Sequence, residues 1–155
     1  MNQDLLDIAN YFIEDHPEFN ILDGELTFLD GFSPTDTQKK KAILEQRKKR
    51  KTAEVEARYS KLRSEYLTDG ALMSLIYTLK SKQAKDYLNH EPGSYELLQA
   101  SVDAGEAANL DEAANLIIAK ETSLLVIAGQ LETERLSLKK QINEAKSITA
   151  LEAIL

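Results

Sequence analysis

The chain lacks cysteine and tryptophan, and its 155 residues include only two histidines, three prolines and six glycines. Without cysteine there is no disulfide framework, no thiolate nucleophile and no thiolate zinc site, so stability must come from packing. Two histidines leave few possible members for a nucleophile–base dyad. Glycine is too sparse for a phosphate-cradling loop, and no Gly-x-x-x-x-Gly-Lys string occurs. No apolar run approaches the roughly 20 residues that span a bilayer, and the amino terminus opens with Asp4 and Asp7 rather than with bases before an apolar stretch. A soluble chain without a secretion signal is expected, with no cofactor and no metal.

What the chain does have is charge in blocks. Its formal net charge is -7, yet residues 1–36 hold nine acids and no Lys or Arg, while residues 39–51 hold eight bases against the single acid Glu45. Blocks of opposite sign can meet within one chain, between copies, or on a partner. The composition, with 43% hydrophobic residues, supports one modest core.

Leu5, Ile8, Ala9 and Phe12 recur at helical spacing ahead of Pro17, which predicts a short amphipathic helix over residues 4–15. Asp23-Gly24 then separates two short runs rich in Ile, Leu and Phe, the pair that a type I′ hairpin turn prefers, with a second turn at Asp30-Gly31. A lone two-stranded hairpin is marginal in water, so this arm must pack on a helix or pair with another chain. Ser33 as cap, Pro34 at the first helical position and Asp36 in the first turn predict a long helix that meets no breaker before Asp69-Gly70. Its basic half has little to bury beyond Ala42, Ile43 and Leu44. Val55, Tyr59, Leu62 and Tyr66 form a seam in the second half.

Thr68 can cap a further helix in which Leu72, Leu75, Ile76, Leu79, Tyr87 and Leu88 define a broad apolar face reaching to His90. Ser94 to Gly105 reads as a shorter helix carrying Tyr95, Leu98 and Val102. A final long helix from about Asp111 to Ser147 places Ile117, Leu124, Ala128, Leu131, Leu138, Ile142 and Ala145 at 3.5-residue spacing, interrupted by Glu121 and Arg135. Those polar intrusions suit a helix packed against several neighbours. Thr149 and Glu152 have capping-box spacing for a terminal turn holding Leu151, Ile154 and Leu155.

Side chains for chemistry are few. Glu14, Asp15, His16 and Glu18 surround one histidine, but consecutive residues at a helix end point apart and lack the His-Glu-x-x-His spacing, so they read as solvated charges. His90 reads as a helix C-terminal residue beside unpaired carbonyls. The two Asp-Gly pairs lack the alternating oxygen ligands of a calcium loop. A basic helix running into an apolar seam imitates the basic region and zipper of a DNA-binding protein, yet the seam spans about two heptads and residues 39–51 hold no Asn to read adenine. The same segment has only Ile43 and Leu44 to insert into lipid.

The order of parts resembles the small helical proteins that accompany tail fibres in tailed bacteriophages. The likeness is carried by Pro34-Thr35-Asp36, the charged helix to Asp69-Gly70, and a last helix from Leu110-Asp111-Glu112-Ala113-Ala114 to Ala150-Leu151-Glu152-Ala153-Ile154. The tryptophan that such proteins often carry after the charged helix is absent. The resemblance implies a tail component or a fibre-assembly protein of the virion, made in the host cytoplasm, without catalysis, and present as a homo-oligomer or in several copies beside other tail proteins. The expected fold is mainly α: a three- to five-helix bundle with long helices, plus an amino-terminal arm of helix and hairpin. Residues 1–33 form the arm, 34–68 the charged helix and 69–155 the rest of the core. The residues expected to meet a partner are Leu5, Ile8, Phe12, Ile21, Leu26 and Phe28 on the arm, with Lys39, Lys40, Lys41, Arg47, Lys48, Lys49, Arg50 and Lys51 on the helix.

Overall fold

Asn2 opens the first helix, α1 (Gln3–Phe12), by accepting a hydrogen bond from the Asp4 amide at 3.0 Å. The helix stops three residues sooner than its pattern suggests. Its Phe12 carbonyl accepts from the amides of both Asp15 and His16, and this tightened last turn breaks the ladder ahead of Pro17. The hairpin then follows the reading closely. Strands β1 (Phe19–Leu22) and β2 (Glu25–Phe28) run antiparallel with Phe19 opposite Phe28 and Ile21 opposite Leu26. Asp23 and Gly24 between them have φ of 50° and 82°, the left-handed pair that a type I′ turn requires. Alternation puts Phe19, Ile21, Leu26 and Phe28 on the more buried face.

The structure is a computed structural model that describes residues 2–66 and 71–154. Thr68 and the Asp69-Gly70 turn lie outside the described residues. Helix α2 (Asp36–Glu65) starts later than Ser33 would dictate, because Thr35 and Gln38 cap each other's amides. That reciprocal box satisfies two helix-end donors at once and leaves Pro34 just outside the helix, where it is buried. Four more helices follow among the described residues: α3 (Ala71–Leu88), α4 (Glu96–Asp103), α5 (Leu110–Glu144) and α6 (Ile148–Glu152). The fold is mainly α, with long helices and the small arm of helix plus hairpin.

Helix ends are set by local bonding. At the end of α3, His90 adopts φ of 57°, and the amides of His90 and Glu91 bond to the carbonyls of Tyr87 and Asp86. This is a Schellman cap with histidine where glycine is usual, so the backbone of His90, not its ring, serves the open carbonyls. Helix α4 begins without a side-chain cap of its own; Gln83 of α3 accepts from the Leu97 amide at 3.0 Å instead. Asn109 accepts from Glu112 at 2.9 Å to open α5. Ser147, not Thr149, caps α6 by accepting from Ala150 at 3.1 Å. Thr149 already lies inside that helix.

The compact units cut across the three sequence segments. Unit 1 joins residues 1–58 to 135–155, and unit 2 comprises residues 59–134. Buried in unit 1 are Ile8, Ala9, Phe28, Ala42, Val55, Ile142, Ala145, Leu151 and Ile154. The arm is therefore part of a core. This corrects the expectation that its apolar side chains wait for another chain: with α2 and the end of the chain in the same unit, Phe28 is only 2% exposed.

Unit 2 has a smaller core, in which Ala84 of α3, Leu98 of α4, Ala107, Ala113 and Ala114 cluster, with Tyr87, Tyr95, Val102, Leu110, Ile117 and Ile118 packed around them. The broad apolar face expected on α3 is divided. Ile76 and Tyr87 are half-buried, whereas Leu72, Leu75, Leu79 and Leu88 are exposed. The cause is that α4 and the start of α5 cover only the later turns of α3, around Ala84. The seam on α2 also fades, from Val55 and Tyr59, both buried, to an exposed Tyr66.

Leu98→Ala should cost about 2–5 kcal/mol in denaturant unfolding, because it empties a fully buried site. Leu79→Ala should cost roughly 0.5 kcal/mol or less in dilute protein. Equal losses would show that Leu79 is covered.

Candidate interaction surface

Asp4 and Asp7 stand one helical turn apart on α1, and Arg47 and Arg50 stand one turn apart on α2. The spacings match, so both acids find a base. Arg47 donates to Asp4 at 3.0 Å and to Glu152 at 2.7 Å. Arg50 grips Asp7 with both terminal nitrogens, one of them at 2.7 Å from Oδ2, and Gln3 donates to the same carboxylate at 3.1 Å. Asp7 itself is 0% exposed, while Arg50 is about half-exposed. Burial pushes the Asp7 carboxyl up, but the hydrogen bonds from Arg50 and Gln3 and the charges of Arg50 and Arg47 outweigh it and leave it below its ordinary value.

The rest of the basic segment is divided. Lys48 donates to the Asn143 carbonyl at 3.0 Å, at the C-terminal end of α5, and to Glu45 at 3.3 Å. Lys39 lies 3.8 Å from Asp36. Lys40, Lys41 and Lys49 are exposed and Lys51 is half-buried. Among the arm residues expected to meet a partner, Ile8 and Phe28 are buried, and Leu5, Phe12, Ile21 and Leu26 are half-buried. The structure brings these arm and helix residues together in unit 1. Glu45, Lys48, Lys49, Thr52 and Asn143 line a shallow, open, polar depression there.

His16 is not a solvated helix-end charge, as its neighbours suggest. Its ring stacks on Phe32 with centroids 3.8 Å apart and planes within 4°, and Nδ1 lies 2.5 Å from Asp30 Oδ2. Phe12 and Phe28 meet the same pair edge-on. Bonding to His16, and then to the Phe32 amide, holds the Asp30 carboxyl below its ordinary value. The second Asp-Gly turn brings Asp30 and Phe32 back to His16, a long-range closure that no local spacing announces.

The two polar intrusions on α5 are explained by partners. Glu121 accepts from Lys85 at 2.7 Å within unit 2, and Arg135 donates to Glu56 at 2.5 Å within unit 1, where Lys139 joins at 2.7 Å. Among the described residues no group of His, Asp and Glu could hold a metal ion.

The surface that sequence reasoning placed in the core is in unit 2. Of the large apolar side chains exposed among the described residues, ten belong to unit 2 and four to unit 1. Leu72, Leu75 and Leu79 lie on one face of α3, with Leu72 68% exposed. On α5, Leu124, Leu125 and Val126 are all exposed, and because each residue turns the helix by about 100°, they point in three directions. The legible signal was the stretch Thr122–Leu131, which has too few polar residues to form a solvated face.

By length and composition α5 is long and apolar enough to cross a membrane, which corrects the expectation that no segment is. Magnitudes weigh against that use. Lys120 and Glu121 divide the apolar stretch, and the uncharged ten residues from Thr122 to Leu131 rise only about 15 Å against about 30 Å of hydrocarbon. Comparison of the chain with protein-family models, with curated proteins and with solved structures finds no match.

Asp7→Asn keeps the shape and removes the charge, so it should lower stability at pH 7 by roughly 1–3 kcal/mol. Since folding depresses the Asp7 pKa below 3.8, the native protein holds this stability above that pH and loses it as pH falls through the folded value. Urea unfolding of both proteins from pH 7 to pH 2 should show the gap closing below about pH 3.8. A gap of constant size would mean that the charge of Asp7 is not what matters.

Proposed function

We propose that this chain acts by binding rather than by catalysis, as a structural or adaptor component of a bacteriophage tail at the fibre or baseplate. The observation that carries the reading is the uncovered apolar surface of unit 2. Monomeric proteins rarely leave contiguous apolar patches beyond a few hundred Å² in water, and larger ones mark interaction sites. Leu72, Leu75 and Leu79 share one face of α3, and Leu124, Leu125 and Val126 stand exposed on successive sides of α5. Affinity and geometry are then the function, and α3 and α5 are the elements that deliver it.

The tail assignment is supported by the order of parts, from Pro34-Thr35-Asp36 through the charged helix to the Leu110–Ala114 helix start, which is similar to small tail-fibre-associated proteins. A nucleic-acid reading is weakened by the pairing of Arg47 and Arg50 with Asp4, Glu152 and Asp7, since a phosphate would have to compete with these carboxylates. An assembly chaperone would use the same apolar strips but leave before the particle is complete.

Quantitative mass spectrometry of purified tailed particles from cells that carry this gene separates these readings. A fixed copy number per particle is expected, and incorporation of Leu125→Glu should fall several-fold. Absence from particles that still assemble correctly would overturn the structural assignment.

A further inference from the structure

Asp23-Gly24 and Asp30-Gly31 lie among the described residues, and a third such pair, Asp69-Gly70, lies outside them. The first two share a dipeptide but not its surroundings, and we infer that Asp23-Gly24 is a site of spontaneous backbone isomerisation to isoaspartate, while the contact with His16 protects Asp30-Gly31. The modification needs no partner and is independent of the docking surface.

The reaction exchanges bonds with no net change in atoms. The glycine nitrogen attacks Cγ of the preceding aspartic acid; an N–Cγ bond forms, the carboxyl hydroxyl leaves with the amide proton as water, and a five-membered succinimide remains. Water then adds to either ring carbonyl. Addition at Cγ breaks the new bond and restores aspartate, whereas addition at the backbone carbonyl carbon breaks the original peptide bond and leaves the chain running through Cβ and Cγ. No oxidant, metal or second substrate takes part. The site must offer open space at the following residue, an amide nitrogen free of other bonds, and a carboxyl that can turn onto it in its neutral form.

Space does not discriminate between the pairs. A Cβ added at Gly24 or at Gly31 would meet nothing within 4 Å. The amides differ: Gly31 donates to the Phe28 carbonyl at 3.2 Å, whereas Gly24 donates to no backbone carbonyl outside the strands. The carboxyls differ more. Asp30 Oδ1 accepts from the Phe32 amide at 2.9 Å and Oδ2 lies 2.5 Å from His16 Nδ1, so both oxygens must be released before Cγ can turn back onto Gly31. His16 is itself fixed by its stack on Phe32. The same bonds hold the Asp30 carboxyl below its ordinary value and so deplete the neutral acid that the attack requires.

Asp23 has none of this restraint. It is exposed, and among the described residues its carboxylate has no hydrogen bond or ion pair. Its turn closes the tip of the hairpin, where Leu22 opposite Glu25 is the last pair of the ladder and Leu22 is 70% exposed. Two-stranded ribbons are marginal, so the tip is where the backbone can rotate to bring Gly24 onto Cγ. Isoaspartate then lengthens by one atom a loop whose two residues both need left-handed φ, and the type I′ turn no longer fits its register.

The full chain, held at about pH 6 and about 37 °C for several weeks and mapped by electron-transfer fragmentation, reports isoaspartate at each position. In the native chain Asp23 should convert several-fold faster than Asp30, and in urea the two should convert at similar rates. His16→Phe keeps a ring against Phe32 and removes the bond to Asp30, so conversion at Asp30 should rise several-fold while that at Asp23 is unchanged. Equal rates in the native chain overturn the inference, as does a native Asp23 that stays intact while the same residue converts in urea. An Asp30 as inert in His16→Phe as in the parent chain would remove the protective role of His16 and overturn it also.

Discussion

Apolar cover along α5 is the constraint on which the rest of the molecule depends. In its first turns the helix joins α3 and α4 in one cluster and buries Ala113 and Ala114, two side chains so small that the helices need supply little else. Beyond Glu121 the side chains become Leu124, Leu125, Val126 and Ile127, and the neighbours run short. Each fully buried aliphatic side chain is worth roughly 1.5–3 kcal/mol over its exposed state, so this half of the helix forgoes stabilisation that its first turns obtain. The earlier turns of α3 share the condition, since α4 covers only the later ones. The same two helices therefore hold unit 2 together at Ala84 and Ala114 and leave it open elsewhere.

Unit 1 solves the opposite problem. Its amino-terminal segment is acidic and its first long helix basic, and the two signs are matched in register by Asp4 and Asp7 against Arg47 and Arg50. The pair at Asp7 is the more consequential, because a carboxylate with no exposure to water depends on its partners for every hydrogen bond it lost. Around it, Ile8, Ala9 and Phe28 complete a core that includes Ile142, Leu151 and Ile154 from the end of the chain. Part of the basic block, Arg47, Lys48 and Arg50, is bonded within unit 1, while Lys40, Lys41 and Lys49 stay exposed.

Much of the local structure was legible in the residues. Asp23-Gly24 announced its hairpin turn, and the alternation around it announced the inner face with Phe28. The long helices followed from the absence of breakers. Caps were less legible, because several residues near each helix start could serve: Thr35 with Gln38 wins over Ser33, and Ser147 over Thr149. Periodicity also cannot say whether an apolar face has a neighbour. Leu72, Leu75 and Leu79 have the spacing of core residues and lie in the open, while the Asp7 carboxylate lies in the core. The pairing of that block was not legible either, since a block of bases reads as a surface until its acids are found, and the 43-residue separation between Asp7 and Arg50 carries no local trace.

Hydrogen–deuterium exchange of the native chain at about 1 μM tests the division between a self-covered unit 1 and an uncovered unit 2 most directly. Amides of α1 and the hairpin should exchange slowly, whereas those of Leu72–Leu79 and Thr122–Leu131 should exchange faster than those around Ala84 and Ala114. Protection of those two stretches as full as that of the Ala84 and Ala114 turns, or an arm that exchanges as fast as they do, would contradict it.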